Sequence, residues 1–136
     1  MDQNDIQSLA LCTWKEARGE GLLGMKAVMH VMMNRVGAEG FSHTIHDVIY
    51  GKNQFTSMSV PSDPEFNLEP KEDDTQYQYC LTLAPDISTD VDPTCGAHYY
   101  ANLDEIQVGG WFQKHILTDA VNHPHLATIG KQDFFK

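Results

Sequence analysis

The run from Leu22 to Val36 constrains the fold more than any other segment. Leu22, Leu23, Met25, Ala27, Val28, Met29, Val31, Met32, Met33 and Val36 leave it apolar on nearly every side. A helix that is apolar all round has to be covered all round, so other elements must wrap it. The run is short for a membrane span and carries Lys26, His30 and Arg35, and no other stretch approaches the roughly 18 apolar residues such a span needs. The expected architecture is a mainly α (α+β) single domain over residues 1–136, with this run as its buried central helix and a short β element.

The flanking patterns supply the wrapping. Ile6, Leu9, Ala10, Thr13, Trp14 and Ala17 recur at spacings of three and four, which predicts an amphipathic helix from about Asp5 to Ala17, capped by Asn4 or Asp5. Gly19 and Gly21 separate it from the central helix, which Gly37 and Gly40 close. Thr44 to Tyr50 predicts a short helix capped by Ser42 or Thr44 and stopped at Gly51. The polar stretch Asn53 to Pro70, with Pro61, Pro64 and Pro70, reads as a long loop of the kind that carries function. Pro70 then suits the first turn of a helix reaching Leu83, with Tyr77, Cys80, Leu81 and Ala84 on one face and Pro85 as its stop. After an Asp-rich loop, Ala97 to Asn102 reads as a short aromatic strand. The tail beyond Gly109-Gly110 is read as irregular, anchored by Trp111, Phe112, Phe134 and Phe135.

Charge narrows the function. Nine Lys+Arg against nineteen Asp+Glu give a net charge of −10, which excludes a nucleic-acid reader that works by phosphate neutralisation and disfavours an anionic membrane surface. Met1 to Asp5 is acidic, and no charged segment followed by an apolar one succeeds it, so synthesis in the cytoplasm without a signal peptide is expected. Cys12, Cys80 and Cys95 lack C-x-x-C spacing and read as reduced thiols.

The densest chemical feature is Trp14-Lys15-Glu16-Ala17-Arg18-Gly19-Glu20, with two carboxylates at the junction of two helices. A carboxyl partly buried against apolar groups favours its neutral form and suits a general acid. The same Glu16 also reads as a helix-end charge paired with Arg18. His43, His46, His115, His123 and His125 raise the question of zinc, but none of their spacings is a zinc signature, and no metal is expected. His30 reads as a hydrogen-bonded core residue.

Glu16-Ala17-Arg18-Gly19-Glu20, then Gly24, Ala27-Val28 and Asn34-Arg35-Val36, resembles the signature of the SleB-type cell wall hydrolases, known from spore cortex-lytic enzymes and phage endolysins. Further blocks follow in order: Phe41, Thr44-Ile45, Val48-Ile49 and Gln54-Phe55-Thr56; Gly96-Ala97 with Tyr99-Tyr100 and Asn102; Ile129-Gly130 with Phe134. The resemblance runs from Ala10 to Phe135. It implies a lysozyme-like, lytic transglycosylase-like domain whose cleft binds the glycan strands of peptidoglycan, with no cofactor. Glu16 is then the catalytic acid/base that protonates the oxygen between N-acetylmuramic acid and N-acetylglucosamine. Attack by the muramyl C6 hydroxyl gives a 1,6-anhydro end, whereas attack by water makes the enzyme a muramidase.

The same resemblance assigns the cleft. Glu20 is the candidate second carboxylate, or else a charge at the N-terminus of the central helix; the latter favours a single-carboxylate transglycosylase. Gln54, Phe55 and Thr56 are expected to bind sugar, with Phe55 also suited to the core. His98, Tyr99, Tyr100 and Asn102 are expected on the opposite wall, with one of the two tyrosines inward by strand alternation and His98 as a candidate to tune Glu16. Gly21, Lys26, Ser42, His98 and Gln132 depart from the family pattern. The expected setting is a monomeric phage endolysin that acts on the cell wall or periplasm after holin-dependent release. A zinc-dependent peptidoglycan amidase and a non-catalytic peptidoglycan-binding or virion module are the alternatives.

Overall fold

A computed structural model describes residues 1–136. The central helix α2 (Gly21–Arg35) is the buried axis: Met25, Ala27, Val28, Met29, Val31 and Met32 are each at most 1% exposed. Its first turn is exposed, at Leu22 and Leu23, and Lys26, Met33 and Asn34 are partly so. Helix α1 (Gln3–Ala17) lays Leu9, Ala10, Cys12 and Ala17 against it. The start of α1 lies earlier than its apolar pattern predicts, because Asp2 is the cap and Asp5 the third helical residue. Asp5 N donates to Asp2 at 2.8 Å and Asp2 N to Asp5 at 3.2 Å, a reciprocal capping box.

Short helices close the sides. Thr44 caps α3 (Ile45–Tyr50), whose Val48 and Ile49 are buried, and the stretch expected as a plain loop contains α4 (Thr56–Ser59). Helix α5 (Thr75–Leu83) begins later than Pro70, because Asp74 caps it by accepting from Tyr77 N at 2.9 Å. The same Asp74 oxygen accepts from Trp14 Nε1 at 3.2 Å, so α1 fixes where α5 starts. Pro85 does not stop the chain's winding. It sits at the beginning of a 3-10 turn, Ala84–Thr89, a position that needs no N–H.

The tail is not irregular. Strand β1 (Tyr99–Ala101) pairs with β3 (Gln132–Phe135), which pairs with β2 (His125–Ile129), giving an antiparallel sheet in the order β1-β3-β2. Gly130-Lys131 makes the two-residue hairpin turn, with Gly130 at φ +59, as the first central position of a type II′ turn requires. Gln132-Asp133-Phe134-Phe135 has no clean alternation, which hides the strand from a period-two reading. Both phenylalanines are buried because each face of the sheet has a cover. Phe134 meets Tyr100 and the helical core, and Phe135 meets Phe112 and His125 edge-on.

Candidate active site

Glu16 ends α1 half-buried, with a hydroxyl on each carboxylate oxygen. Ser57 Oγ, from α4, donates to Oε2 at 2.9 Å, and Tyr100 Oη, from β1, donates to Oε1 at 2.8 Å. One carboxylate thus ties three elements together. Burial, and then the negative charge of Glu16, push the Tyr100 phenol well above its usual range, so it stays protonated and remains a donor. Ser57 is held from behind by Lys15, whose buried ammonium donates to Ser57 O at 3.1 Å and Phe66 O at 2.8 Å. On the outer side Arg18 pairs with Glu65 and lies 4.5 Å over the Trp14 ring. The long loop is therefore fastened to α1 on both sides of Glu16.

The other wall is positioned by the end of α2. Asn34 Nδ2 donates to Ala97 O at 3.0 Å and to Asp92 at 2.8 Å, and Arg35 Nε donates to His98 O at 2.7 Å. Asp92 also accepts from Thr94 N, Thr94 Oγ1 and Gly96 N at 2.7 to 2.9 Å, which shapes the turn leading into β1. Cys95 and Gly96 take φ of +60 and +91 in that turn.

Between the walls lies a cleft of about 650 Å³, lined by Arg35, Gly40, Phe41, Asn53, Gln54, Tyr99, Tyr100, Trp111 and Phe112. Tyr100 belongs both to this lining and to the Glu16 pair. Tyr99 faces Phe41, Trp111 and His123, with ring centroids 5.8, 6.0 and 5.2 Å away. The wall is aromatic with amide groups at its edge, a surface suited to N-acetylated sugars.

The residues anticipated from sequence divide into two groups. Gln54, Tyr99 and Tyr100 line the cleft; both tyrosines do so, with only Tyr100 reaching Glu16. Phe55 is 3% exposed and lies beneath Arg35, 5.0 Å from the guanidinium, so it serves as the core anchor. The Thr56 hydroxyl is spent on Asp63 at 2.6 Å, and the Asn102 side chain accepts from Asp104 N at 3.1 Å, each closing a local turn. His98 contributes its carbonyl to Arg35, while its ring stacks 5.8 Å from Phe41 and makes no hydrogen bond to Glu16. Burial and the neighbouring Arg35 lower its pKa, keeping it neutral. Glu20 occupies the N-cap position of α2 and accepts from Gln132 Nε2 at 3.3 Å rather than facing the Glu16 pair. A Cβ at Gly24 would lie 2.6 Å from Glu20 Cβ, so the glycine makes room for the base of the Glu20 side chain.

Four contributors were not anticipated. Ser57 follows directly after Gln54-Phe55-Thr56, so the block pointed one residue short of the hydroxyl that reaches Glu16. Lys15 and Arg35 work from buried positions. Trp111, expected as an anchor, is 58% exposed on the cleft wall. The histidines are dispersed: His46 lies against Asp47, His123 against Lys136 O, and His125 against Asp133. Nowhere do three His, Cys, Asp or Glu side chains converge as a metal-holding set.

Comparison with known proteins identifies relatives in sequence and in fold. The chain is 36% identical over 134 residues to a spore cortex-lytic enzyme of Bacillus cereus, covering 98% of this chain and 45% of that protein. It is 34% identical over 134 residues to the spore cortex-lytic enzyme of Oceanobacillus iheyensis, covering 98% and 42%. It thus spans less than half the length of these relatives. Among solved structures it matches the catalytic domain of the germination-specific lytic transglycosylase SleB from Bacillus anthracis, at TM-score 0.75 and 32% identity over 100% of this chain and 97% of that one. The catalytic domain of the Bacillus cereus SleB protein matches at TM-score 0.73 and 32% identity, over 99% and 91%. The fold is this lysozyme-like, lytic transglycosylase type. The profile of the Cell Wall Hydrolase family matches residues 19–135, from just after Glu16 through β3, and the chain belongs to that family.

Proposed function

We propose that this domain is a lytic transglycosylase that cleaves the glycan strand of peptidoglycan with Glu16 as its single general acid/base. The observation that carries the reading is the Glu16 carboxylate held between Ser57 and Tyr100 beside an aromatic cleft. Protonated Glu16 gives its proton to the oxygen joining N-acetylmuramic acid to N-acetylglucosamine. The bond from the muramyl C1 to that oxygen breaks and leaves an oxocarbenium-like centre. The carboxylate then takes the proton of the muramyl C6 hydroxyl as that oxygen bonds to C1, giving a 1,6-anhydro end and a neutral Glu16 ready for the next cycle. Ser57 and Tyr100 keep the carboxylate in one place through both transfers. Glu20, turned towards Gln132, supports a one-carboxylate scheme, since a hydrolase of the inverting type needs a second carboxylate to activate water. Gln54, Tyr99 and Trp111 supply the sugar-facing wall. In this proposal the site of action is the bacterial wall, and a monomeric phage endolysin freed through a holin pore is the setting.

Mass spectrometry of the products from purified peptidoglycan tests it. Muramyl ends lighter by one water than ordinary reducing ends are expected. Ordinary reducing ends would make the enzyme a muramidase, and released stem peptides would overturn the glycosidase reading. Glu16→Gln is expected to lose lysis by at least about 100-fold while its circular dichroism is unchanged; a fully active variant would sink the Glu16 assignment.

A further inference from the structure

Arg35 is a buried cation with no carboxylate of its own. The residue is 8% exposed, and its guanidinium lies against the rings of Phe41, Phe55 and Tyr99 at 5.2, 5.0 and 5.6 Å. Nε is committed to His98 O, and Nη1 reaches Gln54 Oε1 at a long 3.4 Å. Nη2 has no acceptor in the chain, yet it is not sealed away from solvent, and Arg35 forms part of the cleft lining. No acidic side chain makes an ion pair with it, in a protein whose net charge is −10 and whose Arg18 and Lys26 are paired with Glu65 and Asp90. Desolvating a guanidinium without a counter-ion is costly. A cation without an ion pair, set against aromatic rings in the lining of a cleft, is open to an anion from outside.

We propose that Arg35 binds a stem-peptide carboxylate carried by the muramyl residue of the substrate, through the fork of Nη1 and Nη2. The inference rests on the peptidoglycan reading above and adds what the cleft recognises. The two alternating sugars of the strand differ only in the lactyl ether of the muramyl residue, on which the stem peptide is built. The lactyl carboxyl is consumed in the amide bond to the stem peptide, so the carboxylates that mark the muramyl sugar are those of the peptide it carries. Tyr100 lines the cleft beside Arg35 and donates to Glu16, so seating the carboxylate on Arg35 places the muramyl ring, rather than its neighbour, towards the acid. The weak bond to Gln54 is the one exchanged for the ligand.

The test uses the full unmutated chain on two substrates: native peptidoglycan, and the same material with its carboxylates converted to methylamides by carbodiimide and methylamine. KM is expected to rise about tenfold on the amidated substrate with kcat little changed, the loss of one charge-assisted hydrogen-bonded pair. Bulk charge predicts the opposite sign, since neutralising an anionic substrate lessens its repulsion from an acidic enzyme. Equal or lower KM on the amidated substrate overturns the proposal. Arg35→Gln is expected to raise KM on native substrate by a similar factor and to lose the discrimination between the two, with Arg35→Lys recovering part of it. The wild-type comparison stands even if Arg35→Gln fails to fold. Strands stripped of stem peptides by an amidase lose those carboxylates and gain a lactyl one. KM on them is expected to rise by a similar factor, and a KM at or below the native value would overturn the stem-peptide assignment. Failure to cleave either of the two main substrates would count against the lytic reading itself.

Discussion

Each oxygen of Glu16 is held by one hydroxyl, and those hydroxyls come from positions 41 and 84 residues away in the chain. That dependence sets the prediction at this scale. Tyr100→Phe removes one hydroxyl that aims the carboxylate, and Ser57→Ala removes the other. Each is expected to lower kcat roughly tenfold with KM little altered, as the loss of a hydrogen bond to a charged group implies. Turbidity kinetics on purified walls read this directly, and wild-type kcat in both variants would show that the hydroxyls are bystanders. Glu16 was legible because it stands in a contiguous motif. Its partners were not, because Tyr100 and Ser57 are ordinary residues until the fold aims them. The residues that sequence placed in the cleft but the structure spends elsewhere, Thr56 and Asn102, show the same limit from the other side. A hydroxyl or amide beside a motif satisfies the nearest turn first, here through Asp63 and Asp104.

Among the elements, β1 depends most on others for its place. Three residues long, it is fixed by β3, by the Asn34-Arg35 end of α2 and by the turn around Asp92. Burial opposes ionisation of Asp92, but donors from Thr94, Asn34 and the backbone N–H groups of Thr94 and Gly96 outweigh it and hold its pKa below the usual 3.8. Because the folded value lies below the unfolded one, this contribution to stability is complete above 3.8 and is lost as pH falls through the folded value. Asp92→Asn is expected to melt roughly 5 °C below the wild type at neutral pH. The gap should narrow as the buffer is taken below pH 3.8. A constant gap across that range would mean that the carboxylate's charge is not what organises the turn. Helix α1 was readable from its 3.6-residue pattern, and α2 from an apolar run bounded by glycines. The boundaries of α5 and the hairpin β2–β3 were not, since Asp74 takes its capping role together with Trp14, and Gln132 to Phe135 reads as a strand only once both sheet faces are covered.

Over the whole molecule, the net charge of −10 surrounds a cleft whose lining carries a cation without an ion pair. Capture by bulk attraction to an anionic wall is thereby disfavoured, and recognition is left to the cleft. Raising ionic strength towards ~0.15 M, where the screening length is about 8 Å, should speed lysis or leave it unchanged by relieving like-charge repulsion. The buried Arg35 contact is screened much less. A several-fold fall in rate over that range would overturn this account. The sequence by itself determined the buried central helix, the amphipathic helix before it, the acidic balance and the motif carrying Glu16. Each of these is a local pattern or a sum over residues. The tertiary structure alone decided that Ser57 and Tyr100 meet on Glu16, that Arg35 is left without an ion pair, and that the tail closes as a sheet. Those features arise from contacts between residues far apart in the chain, which no local periodicity encodes.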